Sequence, residues 1–311
     1  MDTICTITVV STSERQAKDA LEAGFKEIEK LEKLLDYYSP LSEITVINKA
    51  SGIHPVKVSE ETLEVIKEAV KIADVTKGVF DPTIGPVMKL WGFNLKIEEY
   101  AVPSEGNVRD ILRLVDYRDI KINVPESEIF LAKEGMELDL GGIAKGYAAD
   151  EALDILKGKG MQAALVAIAG DIKGFGFKPD QKPWKVGIQN PRSPGDASEE
   201  GEEIFATLYL ENSAISTSGD YQRFFIEQGQ RYHHIIDPRT GYPSSDVISV
   251  SVIAPEGLLS DGFSTGVFIL GREKGMELLE SLGYSGVLID RKKKIYITED
   301  LKGRIESEEG I

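Results

Sequence analysis

The chain has 311 residues, 41% of them hydrophobic and 28% charged, which is typical of a globular protein with a sizeable core. Its 52 acidic residues outnumber its 36 basic ones and give a formal net charge of −16. Such a charge repels phosphate backbones and anionic lipids, and therefore disfavours nucleic acid and a bare membrane surface as partners. The single cysteine, Cys5, excludes an intramolecular disulfide and a cysteine-rich metal site, and we expect it to be a buried structural thiol.

The first half of the chain is rich in helical patterns that follow an opening strand-like run at 3–10. Ser13 can cap a first helix, and Gln16, three residues later, completes a capping box. Apolar residues then recur at helical spacing and predict one buried stripe. The stripe consists of Ala17, Leu21, Phe25, Ile28, Leu31 and Leu35. Further helices are predicted to begin after Ser59, after Ser104 and near Gly142.

The second half consists mainly of short runs rich in β-branched and aromatic residues. These predicted strands cover 163–168, 172–177, 184–188, 204–210 and 247–253. One helix is predicted from about Ser260 to Leu270 and another over 273–282, while 190–203 has the composition of a solvated loop. Because helices and strands partly segregate, the pattern favours an α+β fold over a doubly wound sheet.

Two of the three histidines, His233 and His234, are neighbours at the end of a predicted strand. Their side chains should therefore point to opposite faces, with one of them towards the interior or a cleft. The following residues, 235–241, predict a tight turn that includes Asp237. A neutral imidazole at a strand end can accept a proton near neutral pH, although a purely structural strand end explains the same residues. His54 precedes a proline and is predicted to be a surface loop residue.

Asp261 and Thr265 are one helical turn apart on a predicted helix, so their side chains project from the same face. Carboxylate and hydroxyl oxygens of this kind suit Mg²⁺, which takes its remaining ligands from water and substrate phosphates. The alternative is structural: Ser260 is the N-cap of the helix, and Asp261 interacts favourably with the helix dipole.

The segment 138–147 is an apolar strand followed by a glycine pair that opens a helix. Exposed amides at a helix N-terminus can bind anionic groups, and Lys145 adds a positive charge in the first turn. A close strand–helix turn with a solvated lysine is the structural alternative.

Taken in order along nearly the whole chain, these segments resemble the ApbE family of FAD:protein FMN transferases. The matching segments are 1–3 (with Asp2 in place of the family's glycine), 35–44 with 47–48, 79–83 (VFDPT), 138–150 (LDLGGIAKGYAAD), 214–221 (AISTSGDY), 234–241 (HIIDPRTG) and 261–271 (DGFSTGVFILG). The resemblance implies a T-fold-related arrangement of mixed helices and largely antiparallel sheets, with two lobes around a flavin cleft. It also implies that residues 1–311 form a single domain of this type.

Enzymes of this family bind FAD with Mg²⁺, cleave its pyrophosphate and attach FMN to a threonine or serine hydroxyl of an acceptor protein, releasing AMP. Acceptors are subunits of respiratory or redox complexes with a Ser/Thr-Gly-Ala-Thr/Ser type of motif. By this resemblance, the residues expected to line the FAD site are Met1, Tyr38, Val79, Phe80, Asp81, Asp139, Lys145 and Ile235. Those expected to hold magnesium are Asp261, Thr265 and Gly142 through its backbone oxygen; Ser264 is left out because relatives vary there.

His234 is the best candidate for the base that accepts the proton of the acceptor hydroxyl, and Asp237 is expected to hold the turn beside it. Two other functions use the same residues. The first is FAD diphosphatase activity, in which water replaces the acceptor and the products are FMN and AMP. The second is non-catalytic flavin binding, for which His234, Asp261 and Thr265 would not all be needed.

Family members are mostly exported across the bacterial inner membrane, often as lipoproteins. Since this chain starts at the family's first strand, we expect a leader and lipid anchor to be missing from it. The expected location is the bacterial cell envelope or periplasm, with the cytoplasm left open, and membrane contact only through such an anchor.

Overall fold

A computed structural model describes residues 3–94, 100–191 and 204–307 of the protein. Its helices are α1 (Glu14–Leu35), α2 (Glu43–Lys49), α3 (Glu60–Val75), α4 (Gly85–Leu90), α5 (Glu105–Ile111), α6 (Ala144–Gly158), α7 (Gly257–Leu270) and α8 (Arg272–Leu282). Its strands are β1 (Cys5–Val10), β2 (Val56–Lys57), β3 (Ile120–Asn123), β4 (Glu128–Leu131), β5 (Ala163–Ile168), β6 (Asp171–Phe175), β7 (Trp184–Gln189), β8 (Ile204–Leu210), β9 (Ala214–Gly219), β10 (Phe224–Glu227), β11 (Gln230–His233), β12 (Ile236–Asp237), β13 (Tyr242–Pro243), β14 (Val247–Ala254), β15 (Ser285–Asp290), β16 (Ile295–Ile297) and β17 (Glu306–Ser307). Within these ranges no helix combines the length and the apolar character needed to cross a membrane.

The largest sheet has seven strands in the order β1-β5-β6-β9-β14-β15-β16, and every neighbouring pair is antiparallel. Strand β14 is buried along nearly its whole length, as expected when both faces of a strand are covered. Helix α6 packs on β5 and β6, helix α7 packs on β9 and β14, and the two helices pack on each other. The smaller sheets are antiparallel as well. The predicted α+β class with largely antiparallel sheets is therefore confirmed.

Helices α1, α3 and α5 begin where the sequence places short polar caps. Ser13, Ser59 and Ser104 each accept a backbone N–H from the first turn of the helix that follows. The predicted capping box is wrong, because the Gln16 side chain donates to the carbonyl of Lys159 at 2.8 Å and ties α1 to the end of α6. Helices α2 and α4, of seven and six residues, were not predicted.

The buried face of α1 differs from the predicted stripe in its first half. The residues that α1 buries are Ala20, Gly24, Ile28, Leu31 and Leu35. Phe25, in contrast, is 38% exposed, and Leu21 is only half-buried. A Cβ on Gly24 would lie 3.1 Å from the side chain of Ile7. The helix therefore approaches β1 through its smallest residues, which a stripe of large apolar residues does not reveal.

Helix α7 begins at Gly257 rather than near Ser260, and its cap comes from another helix. The Asp150 carboxylate on α6 accepts the backbone N–H groups of Gly257 and Leu258 at 2.7 and 2.8 Å. Ser260 lies inside the first turn, where its hydroxyl donates to the Gly257 carbonyl at 2.9 Å. The alternative that made Ser260 the N-cap is therefore wrong, and Asp261 lies in the second turn of the helix.

Three smaller predictions have different outcomes. Cys5 is half-buried on β1 rather than buried, and burial raises the pKa of its thiol. His54 is exposed, as predicted, with its Nδ1 2.9 Å from the Pro55 carbonyl oxygen. Most of the predicted loop over 190–203 lies outside the described residues.

Candidate active site

Helices α6 and α7 cross at a pair of glycines. A Cβ on Gly146 would lie 2.1 Å from the carbonyl oxygen of Gly257, so this contact requires a residue without a side chain. The close approach brings the backbone N–H of Gly146 within 3.0 Å of Oδ2 of Asp261, which is 3% exposed. The first turn of α6 thereby fixes the position of a buried carboxylate on α7.

Lys145, Asp171 and Asp261 form a charged cluster at this crossing. The Lys145 Nζ lies 2.5 Å from Oδ2 of Asp171 and 3.4 Å from Oδ1 of Asp261. Burial by itself lowers the pKa of Lys145, but the two carboxylates outweigh it and raise that pKa, so the ammonium stays charged. Burial raises the pKa of Asp261, and the charge of Asp171 raises it further against the opposing effect of Lys145. A second cation beside Asp261 would stabilise its ionised form.

Asp171 is the member of this cluster that the sequence did not single out. The predicted strand began at Ile172, so Asp171 resembled a turn residue after Gly170. It is in fact the first residue of β6 and only 4% exposed. The sequence does show an acidic residue at the edge of a β-rich run. A carboxylate buried at such an edge needs a positively charged partner, and this could have indicated a functional role for Asp171.

The three residues expected to hold magnesium lie close together. A Cβ on Gly142 would be 3.1 Å from Oγ1 of Thr265, which follows Asp261 by one helical turn. Among the described residues no three His, Cys, Asp or Glu side chains gather closely enough to hold a metal ion. A metal would therefore need the Thr265 hydroxyl and the Gly142 carbonyl in addition to Asp261. This all-oxygen donor set suits Mg²⁺.

Ser264 has both of its hydrogen-bonding roles filled inside the protein. Its hydroxyl donates to the carbonyl of Asp261 at 2.8 Å and lies 2.9 Å from the hydroxyl of Ser218. It is 1% exposed. These contacts agree with its omission from the expected ligand set.

The segment that carries Val79, Phe80 and Asp81 lies beside the one that carries Asp139, and all four residues are expected to line the FAD site. The backbone N–H of Asp139 donates to the carbonyl of Pro82 at 2.8 Å. The Asn48 side chain on α2 holds the preceding residue, Leu138, by accepting its N–H at 2.7 Å and donating to its carbonyl at 3.0 Å. The Asp139 carboxylate accepts the Gly141 N–H at 2.9 Å, and burial raises its pKa.

Val79, Phe80 and Asp81 are buried, with exposed fractions of 3, 5 and 8%. The Phe80 ring lies beside Gly142, within 3.4 Å of the position of a Cβ there. The Asp81 carboxylate accepts the Thr83 hydroxyl at 2.6 Å and the N–H groups of Thr83 and Tyr117 at 2.8 and 3.0 Å. These contacts give Asp81 a structural role in its turn, and its contact with FAD stays a prediction.

His233 and His234 point to opposite sides, as the strand pattern predicted. His233 is 3% exposed, with Nε2 2.8 Å from the Ser244 carbonyl oxygen and Nδ1 accepting the Ile235 N–H at 3.3 Å. This arrangement fixes a neutral ring with its proton on Nε2, and burial lowers the pKa of His233. The role of His233 is therefore structural, and Ile235 beside it is also buried.

His234 follows β11 directly and is half-buried. Its Nδ1 lies 3.2 Å from the carbonyl oxygen of Arg223, and its ring meets that of Phe93 edge-on. A ring nitrogen facing a carbonyl carries the proton, which leaves Nε2 as the acceptor. Burial lowers the pKa of His234 well below its usual value, and the charges of Arg223 and Lys145 lower it further. The imidazole is therefore neutral near pH 7, and its Nε2 can accept a proton as a weaker base than a solvated histidine.

Asp237 forms the turn that follows. Its carboxylate accepts the Arg239 N–H at 2.9 Å and pairs with the Arg239 guanidinium at 2.7 Å, while its carbonyl accepts the Gly241 N–H at 2.7 Å. The indole N–H of Trp91 donates to the Gly241 carbonyl at 2.8 Å and anchors the turn to α4. These contacts agree with the expected role of Asp237 in holding the turn.

Two further positions complete the site. Tyr38 is 51% exposed, and although burial raises the pKa of its phenol, the charge of Arg223 lowers it. Arg223 was not singled out from the sequence. Met1, the remaining residue expected at the FAD site, lies outside the described residues.

Residues 1–288 match the family model described as the ApbE family. A protein of Haemophilus influenzae named FAD:protein FMN transferase is 31% identical over 295 residues, which cover 94% of this chain and 83% of that protein. A protein of Treponema pallidum with the same name is 32% identical over 321 residues, covering 97% of this chain and 86% of that protein. Among solved structures, the ApbE protein of Thermotoga maritima superimposes with a TM-score of 0.89 at 32% identity, over 97% of this chain and 96% of that one.

Proposed function

Because this chain belongs to the ApbE family, we propose that it is a magnesium-dependent FAD:protein FMN transferase. In the proposed reaction it cleaves FAD, attaches FMN through a phosphoester to a threonine or serine hydroxyl of an acceptor protein, and releases AMP. The acceptor is proposed to be a redox protein with a Ser/Thr-Gly-Ala-Thr/Ser type of motif.

The observation that carries this proposal is the oxygen-rich cation site at the crossing of α6 and α7. There the buried Asp261 carboxylate lies 3.4 Å from the Lys145 ammonium and one helical turn from Thr265, whose hydroxyl approaches Gly142. A flavin-binding protein without catalytic activity has no need of such a site together with a neutral imidazole. Phosphoryl transfer, in contrast, requires positioning, charge neutralisation and a proton acceptor.

Asp261, Thr265 and the Gly142 carbonyl would hold Mg²⁺, which supplies charge stabilisation to the pyrophosphate when it is bound. Lys145 adds an ammonium beside the same group. The acceptor hydroxyl attacks the phosphorus of the FMN half and gives its proton to Nε2 of His234. The new P–O bond forms as the bond from that phosphorus to the bridging oxygen breaks, and AMP leaves with the oxygen and its electron pair.

One experiment separates the three candidate functions. The protein is incubated with FAD, Mg²⁺ and an acceptor domain that carries the motif, and its products are analysed by gel and by chromatography. Flavin fluorescence on the acceptor band together with free AMP supports the transferase. Free FMN and AMP indicate the diphosphatase, and intact FAD indicates a binding protein; either result contradicts the proposal. An acceptor variant with alanine in place of the modified threonine is the matched control.

A further inference from the structure

Arg223 immediately precedes β10 and takes part in the site through its backbone and its side chain separately. Its carbonyl oxygen accepts the backbone N–H of His234 at 3.1 Å and lies 3.2 Å from Nδ1 of the imidazole. The carbonyl therefore orients His234 whatever side chain stands at this position. The Arg223 side chain itself is exposed and is not involved in that contact.

The Arg223 side chain lies on the same side of the β10–β11 hairpin as His234, because Phe224 pairs with His233 and Arg223 therefore stands opposite His234. Burial raises the pKa of Tyr38 and of Asp139 and lowers that of His234, and in each case the charge of Arg223 acts to lower the pKa. The guanidinium donates from Nη1 to the Phe93 carbonyl at 3.5 Å, the limit of a hydrogen bond. Since an arginine has five N–H donors, most of them can serve a ligand.

A cation in this position would also favour the binding of a pyrophosphate, in addition to the proposed Mg²⁺. A formal net charge of −16 opposes the binding of a pyrophosphate. Lys145 cannot offset it alone, because its ammonium faces the carboxylates of both Asp171 and Asp261. Arg223 brings a planar, permanently charged group next to His234, its neighbour across the β10–β11 hairpin.

We propose that Arg223 is a catalytic residue that donates hydrogen bonds to a non-bridging oxygen of the FMN phosphate during transfer. This inference rests on the proposed transferase function. The acceptor hydroxyl loses its proton to His234, and AMP departs with the bridging oxygen and its electron pair. Arg223 forms and breaks no covalent bond. It stabilises the negative charge on the phosphoryl group. It acts on the phosphate that is attacked because its own carbonyl holds His234, the base that takes the proton of the attacking hydroxyl.

Substitutions at Arg223, with a control substitution at Arg231, test this role. Arg223→Met removes the charge and the donors, Arg223→Lys keeps the charge without the planar fork, and both preserve the carbonyl that orients His234. Arg231→Met is the matched control, because Arg231 belongs to the same hairpin but stacks over the Phe224 ring at 3.7 Å. Thermal unfolding of each variant shows whether the protein stays folded. If Arg223→Met does not fold, Arg223→Lys is used to test the role of the guanidinium.

The measurements are kcat and KM for flavin transfer to an acceptor domain, and FAD affinity from flavin fluorescence. We expect Arg223→Met to lower kcat by about 10²-fold or more, as removal of one transition-state donor does elsewhere. FAD affinity should change by less than about tenfold, because the contact strengthens in the transition state. Arg223→Lys should be intermediate, and Arg231→Met should transfer at the wild-type rate. Added guanidinium ion should restore part of the rate to an Arg223→Ala variant.

Three outcomes would contradict the inference, and failure of the inference can be told apart from failure of the proposed function. Arg223 has no catalytic role if wild-type protein transfers flavin and the kcat of Arg223→Met stays within about threefold of the wild-type value. A change of about threefold is smaller than the contribution of a single hydrogen bond. The same conclusion follows if Arg231→Met lowers kcat as much as Arg223→Met does. If wild-type protein transfers no flavin at all, the proposed function is wrong and the inference falls with it.

Discussion

The crossing of α6 and α7 predicts that a single methyl group at Gly146 damages both stability and activity. A Cβ there would lie 2.1 Å from the Gly257 carbonyl oxygen and 2.8 Å from Cβ of Asp261. The helices must separate, and over-packing of this kind costs about 1–3 kcal/mol. Separation also weakens the hydrogen bond from the Gly146 N–H to the Asp261 carboxylate, worth about 1.5–3 kcal/mol.

The gain in helix propensity of Gly146→Ala offsets about 0.5–1 kcal/mol of this cost, so the free energy of unfolding should fall by about 2–5 kcal/mol. Gly158→Ala is a control on the same helix, because no atom lies within 4 Å of a Cβ at Gly158. That variant should be more stable than wild type by about 0.5–1 kcal/mol. Urea unfolding followed by circular dichroism measures both changes. A Gly146→Ala midpoint at or above that of wild type would refute the close-contact explanation.

Three further predictions concern the ionisable groups. His234→Gln should bind FAD normally but lose transfer by about 10²–10⁴-fold, and transfer at the wild-type rate would remove His234 from the mechanism. Asp261→Asn should lose activity and its response to Mg²⁺, which isothermal titration with the metal alone can check; an unchanged titration would contradict this assignment. The buried ring of His233 has a lowered pKa, so the unfolded chain binds the proton first as pH falls. The stabilising contribution of the neutral His233 ring should be complete above about pH 6.5 and should decrease at lower pH. Wild type should therefore lose more free energy of unfolding between about pH 7.5 and 5.5 than His233→Asn does, as measured by urea unfolding.

Local patterns in the sequence were sufficient for the main elements of the fold. The caps at Ser13, Ser59 and Ser104 and the β-rich runs of the second half follow from neighbouring residues alone. The sequence failed where a distant segment determines the outcome. Asp150 caps α7 across a helix–helix contact, and no pattern near Ser260 could show that the helix starts earlier.

The same distinction applies to the candidate site. The spacing of Asp261 and Thr265 placed two oxygen donors on one helical face, and the structure brings Gly142 beside Thr265. Asp171 and Arg223 were missed because their importance depends on contacts between elements far apart in the chain. Such contacts arise from the packing of α6 and α7 on the sheet, which no local pattern records.

The hydrogen bond between Trp91 and the turn that carries Asp237 gives the protein a built-in optical reporter. The chain has two tryptophans, and the other one, Trp184, belongs to β7 and donates its indole N–H to the Phe175 carbonyl. The Trp91 indole stacks on Phe93, whose ring in turn meets that of His234. A Trp184→Phe protein would therefore emit from Trp91 alone, and quenching of that emission by bound flavin would allow occupancy to be followed in real time without any label.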